Sequence, residues 1–358
     1  MNKLNEEYQD KKVLVTGHTG FKGSWLCILL NKLGADVYGY ALEPPTVPSL
    51  FVEANVGELI TSYIGDIRNL NYLNKVISKI KPEIVIHMAA QPLVLESYRD
   101  PIQTYETNVM GVVNLFEAVK NVAGIKAVLN VTTDKCYENK EWDWGYRENE
   151  PLGGYDPYSS SKACSEIVTA SYRNSFFNPA NFSEHGVAIA SARAGNVIGG
   201  GDFADNRLIP DFINAISNKE TVKIRNPHAI RPWQHVLEPI TGYLILAKNL
   251  YLYGPKFTGA WNFGPNDNDA RTVEWIIDSI CKYWGKGASY LIDGVPKQHE
   301  AGFLKLDSSK ARMKLGWTPN WDIEMTLKSI VEWNTALING ENAYDITSEQ
   351  IDKYFSTN

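Results

Sequence analysis

One glycine-punctuated loop constrains this chain more than any other feature. Thr16-Gly17-His18-Thr19-Gly20-Phe21-Lys22-Gly23 closes the β-rich run Lys12 to Thr16 and opens the apolar, helix-forming run Ser24 to Leu33. Strand, tight turn and helix in that order start a βαβ unit, and glycines let a pyrophosphate approach the free N–H groups at the helix start. The spacing is G-x-x-G-x-x-G rather than the commoner G-x-G-x-x-G, so a βα turn without a ligand stands as the alternative.

Strand and helix patterns alternate beyond the loop. Asp36 to Tyr40, Ile60 to Ile64, Ile84 to Met88, Ala127 to Thr132 and Val187 to Ala192 read as strands. Asn69 to Ile80, Gln103 to Val122 and Tyr158 to Asn174 read as helices. The expected fold is α/β, a Rossmann-type doubly wound parallel sheet with helices on both faces. Residues 1–192 form this domain, with later segments returning to it. Residues 193–358 form mainly a smaller C-terminal α/β substrate-binding lobe. Its helices are expected near Ile209 to Asn218, Val236 to Leu250, Thr272 to Trp284, Ser308 to Leu315 and Ile323 to Leu337, with one more turn after Thr347.

Composition excludes other classes. At 358 residues, 44% hydrophobic and 21% charged, the chain matches globular averages rather than disordered or fibrous ones. A net charge of −6 and no long Lys/Arg run give no attraction for nucleic acid or anionic lipid. The start MNKLNEEYQD lacks the pattern of a secretory signal, and the apolar window Gly242 to Leu252 is short and carries Lys248, so a cytoplasmic protein is expected. Cys27, Cys136, Cys164 and Cys281 lack CxxC spacing and read as reduced thiols. His18, His87, His185, His228, His235 and His299 lack metal-ligand spacing, so no metal is expected.

Tyr158 and Lys162 form Y-x-x-x-K, which puts both side chains on one helix face. A cation beside a phenol lowers its pKa from about 10 and prepares it as a general base. Thr133 stands at the C-terminal end of a strand, where open α/β sheets bind ligands. At the end of the second strand, Tyr40-Ala41-Leu42-Glu43 offers a late acid or none for the adenosine ribose. No arginine lies between Ser24 and Ile67 for a 2′-phosphate, which favours NAD over NADP. Asp66 either meets the adenine or caps the helix before Asn69; His18 and Lys22 either contact phosphate or ribose or face water. Trp142 and Trp144 read as packing under their loop, the alternative being a lid over the site.

The loop, His87-Met88-Ala89-Ala90 and the Thr133/Tyr158/Lys162 set resemble the extended short-chain dehydrogenase/reductase superfamily over nearly the whole chain. Within it, GHTGFKGSW (Gly17 to Trp25), TTDKCYENKEW (Thr132 to Trp142), WGYRENEPLGGYDPYSSSKACSE (Trp144 to Glu166), RAGNVIGGGD (Arg193 to Asp202) and RPWQHVLEP (Arg231 to Pro239) are similar to the CDP-glucose 4,6-dehydratase family. That resemblance implies a lyase in which bound NAD takes a hydride from C4 of the glucose and returns it to C6 after water has left. It places Gly17, Thr19, Gly20, Phe21, Lys22, Gly23, Asp66, Ile67, Ala89, Ala90, Tyr158 and Lys162 at the cofactor. Tyr158 would take the 4-OH proton, Lys162 would bind the nicotinamide ribose, and Thr133 would hydrogen-bond the sugar hydroxyl or oxyanion. Asp134 and Lys135, where relatives acting on dTDP- or GDP-sugars carry Asp-Glu, would be acid and base. A phosphate contact or a surface charge is the alternative for Lys135.

Arg231 and Asn196, with Arg207 a weaker transfer, would lie near the substrate diphosphate. Gln91 would meet sugar or cofactor and Asn108 would support the site, each with a capping or interdomain hydrogen bond as its alternative. The resemblance also implies a homodimer or homotetramer, paired through the helices at Gln103 to Val122 and Tyr158 to Asn174, and a step toward deoxysugars of bacterial surface polysaccharide. A nucleotide-sugar 4-epimerase would share the loop and the Tyr/Lys pair but needs no acid/base pair after Thr133. A non-catalytic NAD-binding sensor or scaffold on the same fold is the third reading.

Overall fold

The computed structural model describes residues 1–218, 220–224, 226–285, 287–292 and 302–356; His299 lies outside them. Six strands, β1 (Lys12–Thr16), β2 (Asp36–Ala41), β3 (Thr61–Ile64), β4 (Ile84–His87), β5 (Ala127–Val131) and β6 (Ala188–Ala194), join an edge strand, Gly259–Phe263, in one parallel sheet. The order is edge strand-β6-β5-β4-β1-β2-β3, so the chain reverses direction across the sheet between β1 and β4. Ligands of open α/β sheets bind in the crevice at such a switch point.

Alternation along the strands decides which layer each residue joins. Val13, Val15, Ile84, Ile86, Leu129 and Val131 point to one face, where helices Phe21–Lys32 and Leu237–Tyr253 cover them. Leu14, Val85, Val128 and Ile189 point to the other, under Leu70–Ile80, Gly111–Lys120 and Pro157–Ser175. Near the C-terminal edge the register aligns Tyr40, Thr16, His87, Asn130 and Ser191 in one row. Polar groups thus enter the sheet just below the crevice.

The second half has its own core around Phe212, Ile276, Ile277, Leu327 and Ile330. Two expectations need correction. The helix expected over Gln103 to Val122 is interrupted: Pro101–Tyr105 and Gly111–Lys120 flank a π-helical turn, Glu106–Met110. That turn carries Asn108, whose amide donates to Gln91 O (3.0 Å) and Ser161 Oγ (2.9 Å) while its Oδ1 accepts from Gln91 N (2.8 Å). The polar tail is a full helix, Ala343–Ser356, because Ile346, Ile351 and Tyr354 bury one face, which packs on the helices Phe21–Lys32 and Ile323–Ile338. Among the described residues no helix is long and apolar enough to cross a membrane.

Candidate active site

At the end of β1, Gly17 has φ +77°, and a Cβ there would stand 2.7 Å from Ala89 N. At Gly23 a Cβ would stand 2.2 Å from Gly17 O, so these two glycines let the loop fold on itself. Gly20 differs: a Cβ would meet only Gly17 O at 3.5 Å. It begins the helix Phe21–Lys32 without a side-chain cap or an acid in the first turn. Thr19 Oγ1 donates to Leu42 O (2.9 Å), which ties the loop to the end of β2.

His18 does not face water or a ligand. It is buried, shares a 2.7 Å hydrogen bond with Ser62 Oγ, and burial lowers its pKa to about 4. Lys22 is half-buried among Lys162, Arg207, Asp134 and Asp202, and burial, helped by the neighbouring cations, lowers it to about 8. Asp66 does not cap the following helix; Asn69 does, accepting from Tyr72 N. Asp66 instead accepts from Arg68, at 2.7 Å from Nη2, and Arg68 also reaches Glu106. Ile67 is buried under Gly111, and Ala89 and Ala90 follow β4 half-buried.

At the end of β5, Thr133 caps a 3-10 turn, Asp134–Cys136. Its hydroxyl donates to Asp134 Oδ1 (2.9 Å) and accepts from Lys135 N (3.3 Å), and it lies beside the Tyr158 phenol, whose pKa it lowers. Asp134 is 1% exposed, and its Oδ2, beside Gly195, has no hydrogen-bond partner among the described residues. Burial raises its pKa, opposed by Lys135, Thr133 and Arg231. Burial likewise pushes the Tyr158 phenol up to about 12 and the Lys162 ammonium down to about 8. Lys162 Nζ donates to Val131 O (3.3 Å). Lys135 is half-buried beside Asp134.

In the second half, Arg231 is 7% exposed in a short strand, Ile230–Pro232, close enough to act on Asp134. Asn196 leaves β6 with its carbonyl accepting from Gln234 N (3.0 Å). Arg207 pairs with Asp202 at 2.9 Å and acts on Tyr158. The structure therefore brings Lys22, Thr133, Asp134, Lys135, Tyr158, Lys162, Arg207 and Arg231 together. Gln91 is placed differently: Nε2 donates to Thr104 (2.9 Å) and Oε1 accepts from Leu93 N (2.6 Å), so its side chain braces the turn after β4. Trp142 packs on Tyr146 with ring centroids 5.1 Å apart, whereas Trp144 stands 65% exposed.

Sequence reasoning passed over three residues of this region. Glu166 follows Lys162 by one helical turn, and that spacing was its signal. Arg193 and Tyr243 carried none, since their partners are distant in sequence. Tyr243 is buried near Lys22, Tyr158 and Asp134, and its hydroxyl has no hydrogen-bond partner among the described residues. Among the described residues no group of acids, histidines and cysteines is arranged to hold a metal ion.

The model of the NAD dependent epimerase/dehydratase family matches residues 13–254. The chain belongs to this family. It is 58% identical over 349 residues to the CDP-glucose 4,6-dehydratase of Salmonella typhimurium, covering 98% of this chain and 97% of that one. Two solved structures share its fold. The UDP-glucose 4-epimerase of Thermotoga maritima with UDP-glucose superposes with a TM-score of 0.77 at 23% identity, over 91% of this chain and 99% of that one. The dTDP-glucose 4,6-dehydratase of Bacillus anthracis in complex with NAD gives 0.73 at 22% identity, over 92% and 98%. The cradle suits the cofactor of an NAD dependent epimerase/dehydratase: the space above Gly20 that a Cβ would fill, and the uncapped helix start, fit a pyrophosphate.

Proposed function

We propose that this chain is a hydro-lyase that converts CDP-glucose to CDP-4-dehydro-6-deoxyglucose with NAD as cofactor. Asp134 carries the reading. A buried carboxyl, pushed toward its protonated form and keeping one oxygen free beside Thr133 and Tyr158, is the acid that water elimination needs. A 4-epimerase has no use for it. The relative named above, matched along almost its whole length, supports the sugar and the base.

Gly17, Gly20 and Gly23, with the helix start at Phe21, would hold the pyrophosphate of NAD, which when bound would supply the hydride acceptor for C4 and the hydride donor for C6. Tyr158, beside Thr133, takes the proton of the C4 hydroxyl. Lys162, a cation below about pH 8, would bind the nicotinamide ribose, while Arg207 is the cation that acts on Tyr158 and favours its phenolate. Asp134 donates from Oδ2 to the departing C6 hydroxyl, and Lys135 removes the C5 proton. Arg231, Asn196 and Arg207 bind the diphosphate, whose charge matches guanidinium donors.

Residues 1–192 serve the cofactor and 193–358 mainly the nucleotide sugar, in a cytoplasmic enzyme supplying deoxysugars for lipopolysaccharide O-antigen. The chain pairs with a second copy through the helices around residues 101–120 and 157–175. Their exposed Ile102 (72%), Met110 (50%), Ile167 (56%) and Phe176 (50%) support this surface. The decisive experiment gives the protein and NAD CDP-glucose deuterated at C4, beside dTDP-, UDP- and GDP-glucose. Loss of one water from the CDP sugar, with deuterium at C6, is expected; deuterium retained at C4 with unchanged mass overturns the reading in favour of epimerisation.

A further inference from the structure

We propose that Glu166 is a positioning residue whose buried pair with Arg193 fixes the segment Thr133-Asp134-Lys135 against the helix that carries Tyr158 and Lys162. The inference rests on the roles given above to those residues. Glu166 is 4% exposed and lies one turn beyond Lys162. Its Oε1 accepts from Thr132 Oγ1 at 2.5 Å; its Oε2 accepts from Ser191 Oγ at 2.6 Å and from Arg193 Nη2 at 2.8 Å. Arg193 Nη1 then donates to Tyr137 Oη (2.8 Å) and Glu148 O (3.2 Å). Tyr137 Oη donates onward to Asn262 Oδ1 (2.8 Å) in the edge strand.

Thr132 immediately precedes the catalytic segment and Tyr137 follows its 3-10 turn, so the pair grips the chain on both sides. A buried ion pair is a weak source of net stability, because desolvation offsets its attraction. Short charge-assisted bonds with fixed directions do set geometry, and small misplacements of reacting groups are costly. The pair also shapes the surroundings of Lys162. Facing Lys162 are Glu166 on its own helix, Cys136 on the 3-10 turn, His87 on β4 and Lys22 on the glycine-loop helix. Burial keeps the Cys136 thiol and the His87 ring neutral at pH 7, which leaves Glu166 as the anion of this set.

Glu166→Gln keeps the shape and removes the charge. With CDP-glucose, kcat is expected to fall about 10- to 100-fold with little change in KM. In cofactor-free protein labelled with 13C-lysine, the Lys162 signal, assigned by its loss in Lys162→Met, is expected to titrate about one unit lower. Glu166→Asp should restore the titration and part of kcat. A folded Glu166→Gln protein with kcat within about twofold of the parent and an unmoved Lys162 overturns the proposal. Lower kcat with an unmoved Lys162 overturns the electrostatic half and retains the clamp. If Glu166→Gln does not fold, Thr132→Val cuts one arm without touching charge, and unchanged kcat there overturns the clamp. Failure of the parent protein to dehydrate CDP-glucose would instead count against the proposed reaction, since the lysine titration needs no substrate.

Discussion

Asp134 and Glu166 are both buried carboxyl groups within one strand end of each other, yet their surroundings drive them in opposite directions. Arg193, Ser191 and Thr132 overcome burial and hold Glu166 below the usual carboxylate range. Asp134 has one hydroxyl donor, a free Oδ2 and only partial offset from Lys135 and Arg231, so burial wins and its pKa rises. The contrast extends to their neighbours. Tyr158 is raised, and Lys162 and Lys22 are lowered, each toward the neutral form. Arg193 is raised, toward its charged form. Groups that hold the site are compensated inside the protein; groups that face the reaction await charge from the molecules that bind there.

The largest break in this contrast is expected from Tyr158→Phe, which removes an uncompensated group without touching a compensated one. Its kcat should drop by about 10³ at an unchanged melting temperature, since general-base contributions run to about 10²–10⁴. Steady-state turnover beside a thermal melt checks it, and activity within tenfold of the parent would remove Tyr158 from the mechanism. Next comes Asp134→Asn, with an expected loss of about 10². With C5 proton removal assigned to Lys135 as proposed, this variant should still exchange the C5 proton with D2O while failing to lose water; Lys135→Ala should do neither. Exchange surviving in Lys135→Ala would show that the base lies elsewhere.

Legibility in the sequence follows the same division. The strands were readable because alternate residues bury on opposite faces, and Gly17 and Gly23 because a close backbone approach admits no Cβ. Local spacing brought out Tyr158 and Lys162. What stayed hidden depends on partners far apart in sequence: Arg193 meets Tyr137 and Glu166, and Trp25 Nε1 donates to Gly200 O at 2.9 Å, which ties the glycine-loop helix to the second half. The π-helical turn at Asn108 was equally invisible, because Asn108 gains its partners only when Gln91 and Ser161 come together.

Arg231 straddles the two groups, since it sits beside Asp134 and is also a proposed partner of the substrate diphosphate. Arg231→Gln is expected to raise KM about 10- to 150-fold, the worth of a charge-assisted contact of about 1.5–3 kcal/mol. It should also move the pH at which kcat/KM is lost on the alkaline side. In the proposed mechanism Asp134 acts as an acid while protonated; removing a nearby cation raises its pKa further, so the acid form persists to higher pH. A pH profile that keeps the parent's limbs would separate Arg231 from Asp134.

Glu238 supplies the smallest and cleanest sharpening, because this buried carboxyl group has only neutral hydrogen-bond donors among the described residues. It accepts from Asn320 N (2.9 Å), Trp321 N (2.8 Å) and Tyr354 Oη (2.8 Å), which ties the C-terminal helix Ala343–Ser356 to the helix under the sheet. Burial outweighs these three bonds and raises it from 4.5 to about 7. A carboxyl whose folded pKa exceeds its unfolded value binds more protons in the folded state between the two, so its contribution to stability falls as pH rises from about 4.5 to 7. The expected cost is a few degrees in melting temperature between about pH 5 and 8. Glu238→Gln should flatten that part of the slope. If the slope is the same in parent and variant, three neutral donors hold a buried carboxylate as well as Arg193 holds Glu166, and compensation by a cation is not what separates the two classes.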